Sequence, residues 1–296
     1  MEIANTVLIL VGAMIMVGNI SGYMLFMEKM QDVVSSGNKK DSIWLRIGLV
    51  LLLFFFFGYL VVCLAFQSSL LTSLILFFGS IFVSVTLGLM SRLLDTAKER
   101  SVDIAEVLVG IIDARDPNLN GHSRYVKDLT VLFYQRLPRR IRFKINPISL
   151  EYAALMHDIG KLGVPESILN KPEKLNEEEW ETMRQHPKIG VKLLQPLQPF
   201  DSISSWILYH HERMDGEGYY KLQGKQIPLA ARLLSITDTY ATITMRRAYK
   251  PPLSYEQAVE IIRSAAGKQL DQELVDIFLT IPKEELEKCI PEQIKY

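Results

Sequence analysis

Two stretches without a single Asp, Glu, Lys or Arg constrain this chain more than anything else in it: Ile3 to Met27, and a longer run from Ile47 to Ser91. A hydrocarbon core about 30 Å thick needs roughly 20 helical residues to cross it. The first run, 25 residues, is enough for one crossing, and the second, 45 residues, for two if the chain reverses at the polar Gln67-Ser68-Ser69. The pattern predicts transmembrane helices near residues 5–27, 46–66 and 70–91. A cleaved signal peptide is the alternative for the first segment, but it lacks a basic n-region and its apolar run is longer than a typical signal-peptide core. Lys29, Lys39, Lys40 and Arg46 lie in the first loop and Arg92, Lys98 and Arg100 follow the third helix, whereas the second hairpin carries no charge. The positive-inside rule then puts the N-terminus outside and everything after residue 91 in the cytoplasm, a multi-pass arrangement in the cell (inner or cytoplasmic) membrane. Neither loop before residue 91 is long enough for a folded sensor.

Charge excludes other classes. The chain has 33 Lys+Arg and 33 Asp+Glu, and the residues after 91 are balanced as well, so nothing marks a binder of nucleic acid duplexes. Two cysteines, Cys63 and Cys289, cannot build a thiolate metal cluster or a disulfide framework.

Beyond the apolar region, Leu93, Leu94, Ala97, Val102, Ile104 and Ala105 recur at roughly helical spacing among charged residues. Residues 92–102 therefore read as a helical connector continuing the third span. Such connectors pair in homodimers, but fewer than three heptads are available, so a helix packed on its own domain is an equal reading. Residues 103–296 read as successive helices with no alternating strand. Asp116-Pro117 ends one helix and Pro138 another, Pro187 and Pro196 bracket a short one, Ser254 to Gln257 opens one with a capping box, and Gly267 closes it. The fold class is all-α, with residues 1–91 as the membrane region. The basic run Arg136, Arg139, Arg140, Arg142 and Lys144 reads as a solvated turn, with contact to anionic headgroups as the second reading.

The chemistry sits in the histidines, all five of which follow the apolar region: His122, His157, His186, His210 and His211. In Leu155-Met156-His157-Asp158-Ile159-Gly160-Lys161, a helix would put His157 and Lys161 on one face with Asp158 beside them. One turn then offers an imidazole that ligates a cation, a carboxylate that bridges two, and an ammonium that neutralises a phosphoryl oxygen. A plain surface salt bridge between Asp158 and Lys161 is the bland alternative. It leaves Gly160 and the apolar approach Tyr152 to Met156 unexplained, and these imply a buried turn.

Several motifs in order resemble the HD-GYP domain, the metal-dependent phosphodiesterase branch of the HD superfamily. They run from Ala114-Arg115-Asp116-Pro117 and Gly121-His122-Ser123 through His157-Asp158-Ile159-Gly160-Lys161 and Ile168-Leu169-Asn170-Lys171-Pro172. His186-Pro187, His210-His211-Glu212-Arg213, Asp215-Gly216, Asp238, Arg247, Tyr249 and Lys250 follow. The resemblance covers about residues 103–282 and implies an all-helical HD-type domain. It implies metal ligands at His122, His157, Asp158, His186, His210, His211 and Asp238. One ion would take His122, His157, Asp158 and Asp238, the other His186, His210 and His211, with Asp158 bridging. Nitrogen and oxygen donors without thiolate suit two divalent ions, iron or manganese, while geometry alone leaves nickel and zinc open. The resemblance further implies catalysis by Lys161 and Asp158, and nucleotide contacts from Lys161, Tyr219, Arg247 and Lys250. The substrate would be cyclic di-GMP, opened to linear pGpG or onward to GMP.

The signature loop departs from the family pattern at Tyr220, which stands where the family has proline; Ala241 and Ala248 replace an Asp and a proline. Asn118 occupies the place of a Glu found in three-metal members, which favours two metals and pGpG as product. The altered loop motivates a second reading, a binding module for a nucleotide or for a partner such as a diguanylate cyclase (GGDEF) domain. A third keeps the enzyme and changes the cyclic dinucleotide.

Overall fold

The computed structural model describes residues 2–34, 39–64, 69–115, 121–196, 203–245 and 251–291. They are helices and connecting turns; no β-strand occurs among the described residues, and the all-α class holds. The chain divides into two compact units, Met1–Ser101 and Val102–Tyr296.

The first unit is built from α1 (Glu2–Val34), α2 (Lys39–Leu64) and the beginning of α3 (Leu70–Arg115). Three segments, Ile3–Met27, Ile43–Leu64 and Leu70–Thr96, are long and apolar enough to cross a membrane. Of the expected hairpin, Gln67 and Ser68 lie outside the described residues, while Ser69 caps α3 by accepting the Thr72 N–H on its hydroxyl at 3.2 Å. Ile9, Met16, Leu52 and Tyr59 pack inward, and large side chains such as Phe54, Phe57 and Phe82 face out. Polar groups in this interior are paired, as an apolar surround demands. Asn19 donates to the Ser80 carbonyl at 3.0 Å and accepts from the Ser84 hydroxyl at 2.5 Å, and the Tyr59 hydroxyl donates to the Leu76 carbonyl.

In the second unit the end of α3 is followed by α4 (His122–Arg136), α5 (Arg139–Arg142), α6 (Pro147–Met156), a 3-10 turn (Ile159–Gly163), α7 (Glu166–Leu169), α8 (Glu177–Met183), α9 (His186–Leu194) and α10 (Ser204–Leu208). Then come α11 (Leu229–Thr244), α12 (Tyr255–Ala265), α13 (Gln272–Phe278) and α14 (Lys283–Lys288). Ser254 and Gln257 form the expected reciprocal capping box on α12, and Asn146 caps α6 ahead of Pro147. Ala105, Val109 and Ile112 of α3 are buried with Tyr125, Leu129 and Phe133 of α4, so this part of the helix packs on its own unit. Phe278 of α13 meets Phe133 and Tyr240 edge-on at 5.2 and 5.3 Å. A buried hydroxyl pair, Thr130 and Thr237 at 2.8 Å, fixes the register of α4 against α11. That register decides where His122 and Asp238 meet.

One sequence expectation is corrected here. His157, Asp158 and Lys161 do not share an α-helical turn: α6 ends at Met156, His157 caps it, and Asp158 at φ −98°, ψ 5° redirects the chain into the 3-10 turn. The reason is Gly160. A Cβ there would run into the His186 carbonyl oxygen and stand 2.5 Å from the Gly190 nitrogen, so the backbone of the turn lies directly on that of α9.

Candidate metal centre

Five chain segments bring the centre together: the start of α4, the end of α6, the start of α9, the residues after α10, and the middle of α11. His122, His157, Asp158, His186 and His210 are all buried. Asp158 lies between two sets of side chains. Its Oδ1 is 3.2 Å from His186 Nε2, and its Oδ2 is 3.4 Å from His157 Nε2 and 2.7 Å from the donating Lys161 Nζ. Asp238 Oδ1 lies 3.0 Å from His122 Nε2 and 3.8 Å from His157 Nε2. Two groups can each offer converging ligand atoms within 4.8 Å of one another: Asp158, His186, His210 and His211, and His122, His157 and Asp158.

Three of the imidazoles are oriented by the same device. His157, His186 and His210 each donate Nδ1–H to the carbonyl three residues back, Ala154, Met183 and Ile207, at 2.8, 2.9 and 2.6 Å. A carbonyl has only lone pairs, so Nδ1 carries a proton, and in the neutral ring Nε2 presents its own lone pair. Those three Nε2 atoms and Asp158 Oδ1 are buried without a hydrogen-bond partner. Burying a polar atom unsatisfied costs about 1–3 kcal/mol, and four doing so at one point is a large expense unless something else binds there. A divalent cation fits the donor set, which is nitrogen and oxygen without sulfur.

The electrostatics favour the unprotonated form at His210, His211, Asp158 and Asp238, and the protonated form at His157. Burial, with the neighbouring His211, holds His210 well below its ordinary value, and burial with His186 lowers His211 to about 3. Burial works against the charged form of Asp158, yet Lys161 and His157 hold it well below the usual carboxylate range; for Asp238, His122 and His157 overcome burial in the same way. Burial lowers His157 too, but Asp158 and Asp238 more than offset that and lift it to about 8. Tyr219 lies beside the cluster, its ring 4.8 Å from that of His211, and burial pushes its hydroxyl up to about 12, so it stays a donor at neutral pH.

All seven expected ligands, with Lys161 and Tyr219, thus come together in space. Arg247 and Lys250 lie outside the described residues, as do Asn118 and Ala248. Ala241 is fully buried in the hydrophobic core and does not line the cluster. Two residues were given no role by the sequence. Arg115, at the end of α3, donates from its two terminal nitrogens to the carbonyls of Leu162 and Val164, pinning the exit of the 3-10 turn. Glu212, 3% exposed, follows the histidine pair. Each sits inside a motif read as a family signature, and only that membership could have drawn attention to them.

A family model described as the HD domain matches residues 106–274, more than half of the chain. The chain belongs to the HD domain family. HD domains bind divalent metals, and the two His/Asp groups are where this one can hold them. Among curated relatives, a cyclic di-GMP phosphodiesterase of Vibrio cholerae serotype O1 is 35% identical over 60% of this chain and 39% of its own length. One from Thermotoga maritima is 34% identical over 62% of this chain and 50% of its own. A 3'3'-cGAMP-specific phosphodiesterase 3 of Vibrio cholerae is 34% identical over 55% of this chain and 35% of its own. The chain therefore spans half or less of the length of these relatives.

Proposed function

We propose that this HD domain protein is a membrane-anchored, metal-dependent phosphodiesterase that opens cyclic di-GMP to linear pGpG. The observation that carries the reading is the convergence of three buried, partnerless Nε2 lone pairs on Asp158, with Lys161 Nζ alongside. His122, His157, Asp158 and Asp238 would hold one metal and His186, His210 and His211 the other, with Asp158 common to both; iron or manganese suits these donors. When bound, such a pair supplies Lewis-acid polarisation of phosphoryl oxygens and lowers the pKa of a water. The chain's own residues do the rest. Lys161, held by Asp158, offsets charge that builds on the phosphoryl oxygens. Tyr219 presents its ring and a protonated hydroxyl to the nucleotide. Arg247 and Lys250 contribute cations by resemblance to the family.

In this reading residues 1–91 anchor the protein in the cytoplasmic membrane with the N-terminus outside, residues 92–102 connect, and residues 103–296 form the catalytic domain in the cytoplasm. Similarity to relatives named as cGAMP-specific supports a second reading of the substrate, a hybrid cyclic dinucleotide. The test is hydrolysis by the full-length chain in detergent, reconstituted anaerobically with iron or manganese, with metal counted on the same sample and products separated by chromatography. Turnover of cyclic di-GMP to pGpG with about two metals per chain is the expected result. Faster turnover of 3'3'-cGAMP in competition moves the substrate assignment. Two bound metals with no turnover of either would replace the enzyme by a binding module.

A further inference from the structure

The chain leaves the histidine pair through Glu212 and enters the loop 213–223, which carries Tyr219. Glu212 is buried, and both of its carboxyl oxygens are used on this loop: Oε1 accepts the Tyr220 N–H at 2.7 Å and Oε2 accepts the Leu222 N–H at 2.6 Å. Lys221, between them, has φ 61°, the single non-glycine in the left-handed region among the described residues. That conformation turns the amides on either side of it toward one carboxyl group, and a side chain adopts it only where its surroundings enforce it. Gly218 shows how closely the loop is seated, since a Cβ there would stand 2.6 Å from Glu212 Cα and 2.9 Å from the Arg213 nitrogen. Arg213 is occupied elsewhere, forked onto Asp215 at 3.0 and 2.6 Å. The Tyr220 ring stands edge-on to Tyr209 at 5.6 Å.

We propose that Glu212 is the positioning residue of this loop, clamping the amides of Tyr220 and Leu222 so that Tyr219 is seated against His211, and that the clamp depends on an amide hydrogen at position 220. The role for Tyr219 rests on the function proposed above; the clamp itself does not. Proline, which the family signature carries at this place, would restrict φ but has no N–H to give to Glu212. The loop here is held by a different means, a carboxyl group bridging two amides around a left-handed residue. Installing the family's proline therefore removes a bond from a buried acceptor instead of stiffening the loop.

The experiment uses the full-length, metal-loaded protein with Glu212→Gln, Tyr220→Pro and the double variant. Hydrogen exchange followed by mass spectrometry reads the peptide covering residues 213–223, and kinetics and metal content are measured on the same preparations. Exchange in that peptide is expected to speed up in Glu212→Gln, and KM to rise about tenfold in each single variant, the range for a lost hydrogen bond to a buried carboxyl group. Expected kcat stays within about threefold and metal content is unchanged, because the ligands are not touched. The double variant is expected to be no worse than the worse single one, since each breaks the same two-amide clamp. Unchanged exchange in Glu212→Gln, or a lower KM in Tyr220→Pro, would overturn the proposal. So would a loss of metal or of kcat with KM preserved, which would make Glu212 a support for His210 and His211 only. If the unsubstituted protein hydrolyses nothing, the function proposed above fails while the exchange result still decides the clamp.

Discussion

Gly160→Ala is a one-carbon change aimed at the seam between the turn that carries Asp158 and the helix that carries His186. The new Cβ would meet the His186 carbonyl oxygen and stand 2.5 Å from Gly190 N and 2.7 Å from His186 C, where ordinary contact begins at 3.4 Å. All three obstacles are backbone, so neither side can rotate away, and the seam must open by more than about 1 Å. Overpacking of this kind costs about 1–3 kcal/mol, which in a domain of this size lowers Tm by about 2–12 °C. The site suffers more than the fold. Asp158 Oδ1 and His186 Nε2 are 3.2 Å apart across this seam, so opening it separates the Asp158 carboxylate from His186, His210 and His211. Metal content should fall from about two per chain toward one, and turnover by about 100-fold, the scale of a 1 Å misplacement at a reacting centre. Gly190→Ala is the internal control. Its Cβ would meet the Ile159 Cγ2 at 3.1 Å and the Gly160 nitrogen at 3.2 Å, an overlap of a few tenths of an ångström, and its effect should be clearly smaller. Elemental analysis, thermal unfolding and hydrolysis on the same preparations decide the matter. A Gly160→Ala protein with full metal content and unreduced turnover would refute the reasoning.

Chelation should lower the Tm of the second unit, because removing bound metal leaves the buried His157, His186 and His210 Nε2 atoms unsatisfied; an unchanged Tm after verified metal removal would count against a metal site. Arg115→Ala should destabilise by about 2–3 kcal/mol, since it strips two carbonyls of a charged donor; denaturant unfolding with a loss under about 0.5 kcal/mol would show that the clamp on Leu162 and Val164 matters little. Burial, with Asp128 and Glu285 nearby, pushes the Cys289 thiol up to about 11. Because its folded pKa lies above the ordinary value of 9.0, the stability it contributes is complete below that value and fades as pH rises toward the folded pKa. Alkylation of Cys289 should accordingly rise steeply only as pH approaches about 11, and rapid labelling at about pH 8 would contradict this.

Much of the site could be read before any coordinates because its ligands are concentrated in short motifs. His157-Asp158 and His210-His211 are adjacent pairs, and helix boundaries at Pro138, Ser254 and Gly267 follow from local backbone chemistry. The helical turn assumed over His157 to Lys161 failed for a reason invisible locally: Gly160 is shaped by the backbone of residues 186–190, far along the chain. Arg115 and Glu212 eluded role assignment on the same ground. Each bonds to main-chain groups, at Leu162 and Val164 or at Tyr220 and Leu222, and a main-chain partner leaves no residue type in the sequence to pair with.

The shared orientation of His157, His186 and His210 carries a further consequence. Each ring takes its tautomer from a carbonyl in the turn just before it, not from an acidic side chain elsewhere. The donors are thus set as those turns close, and readiness for a cation is a property of main-chain conformation. Fraying one of these turns by a single residue frees the ring to flip and spoils the donor without altering any ligand. Metal affinity in this protein then becomes a gauge of how completely three short stretches of backbone are wound.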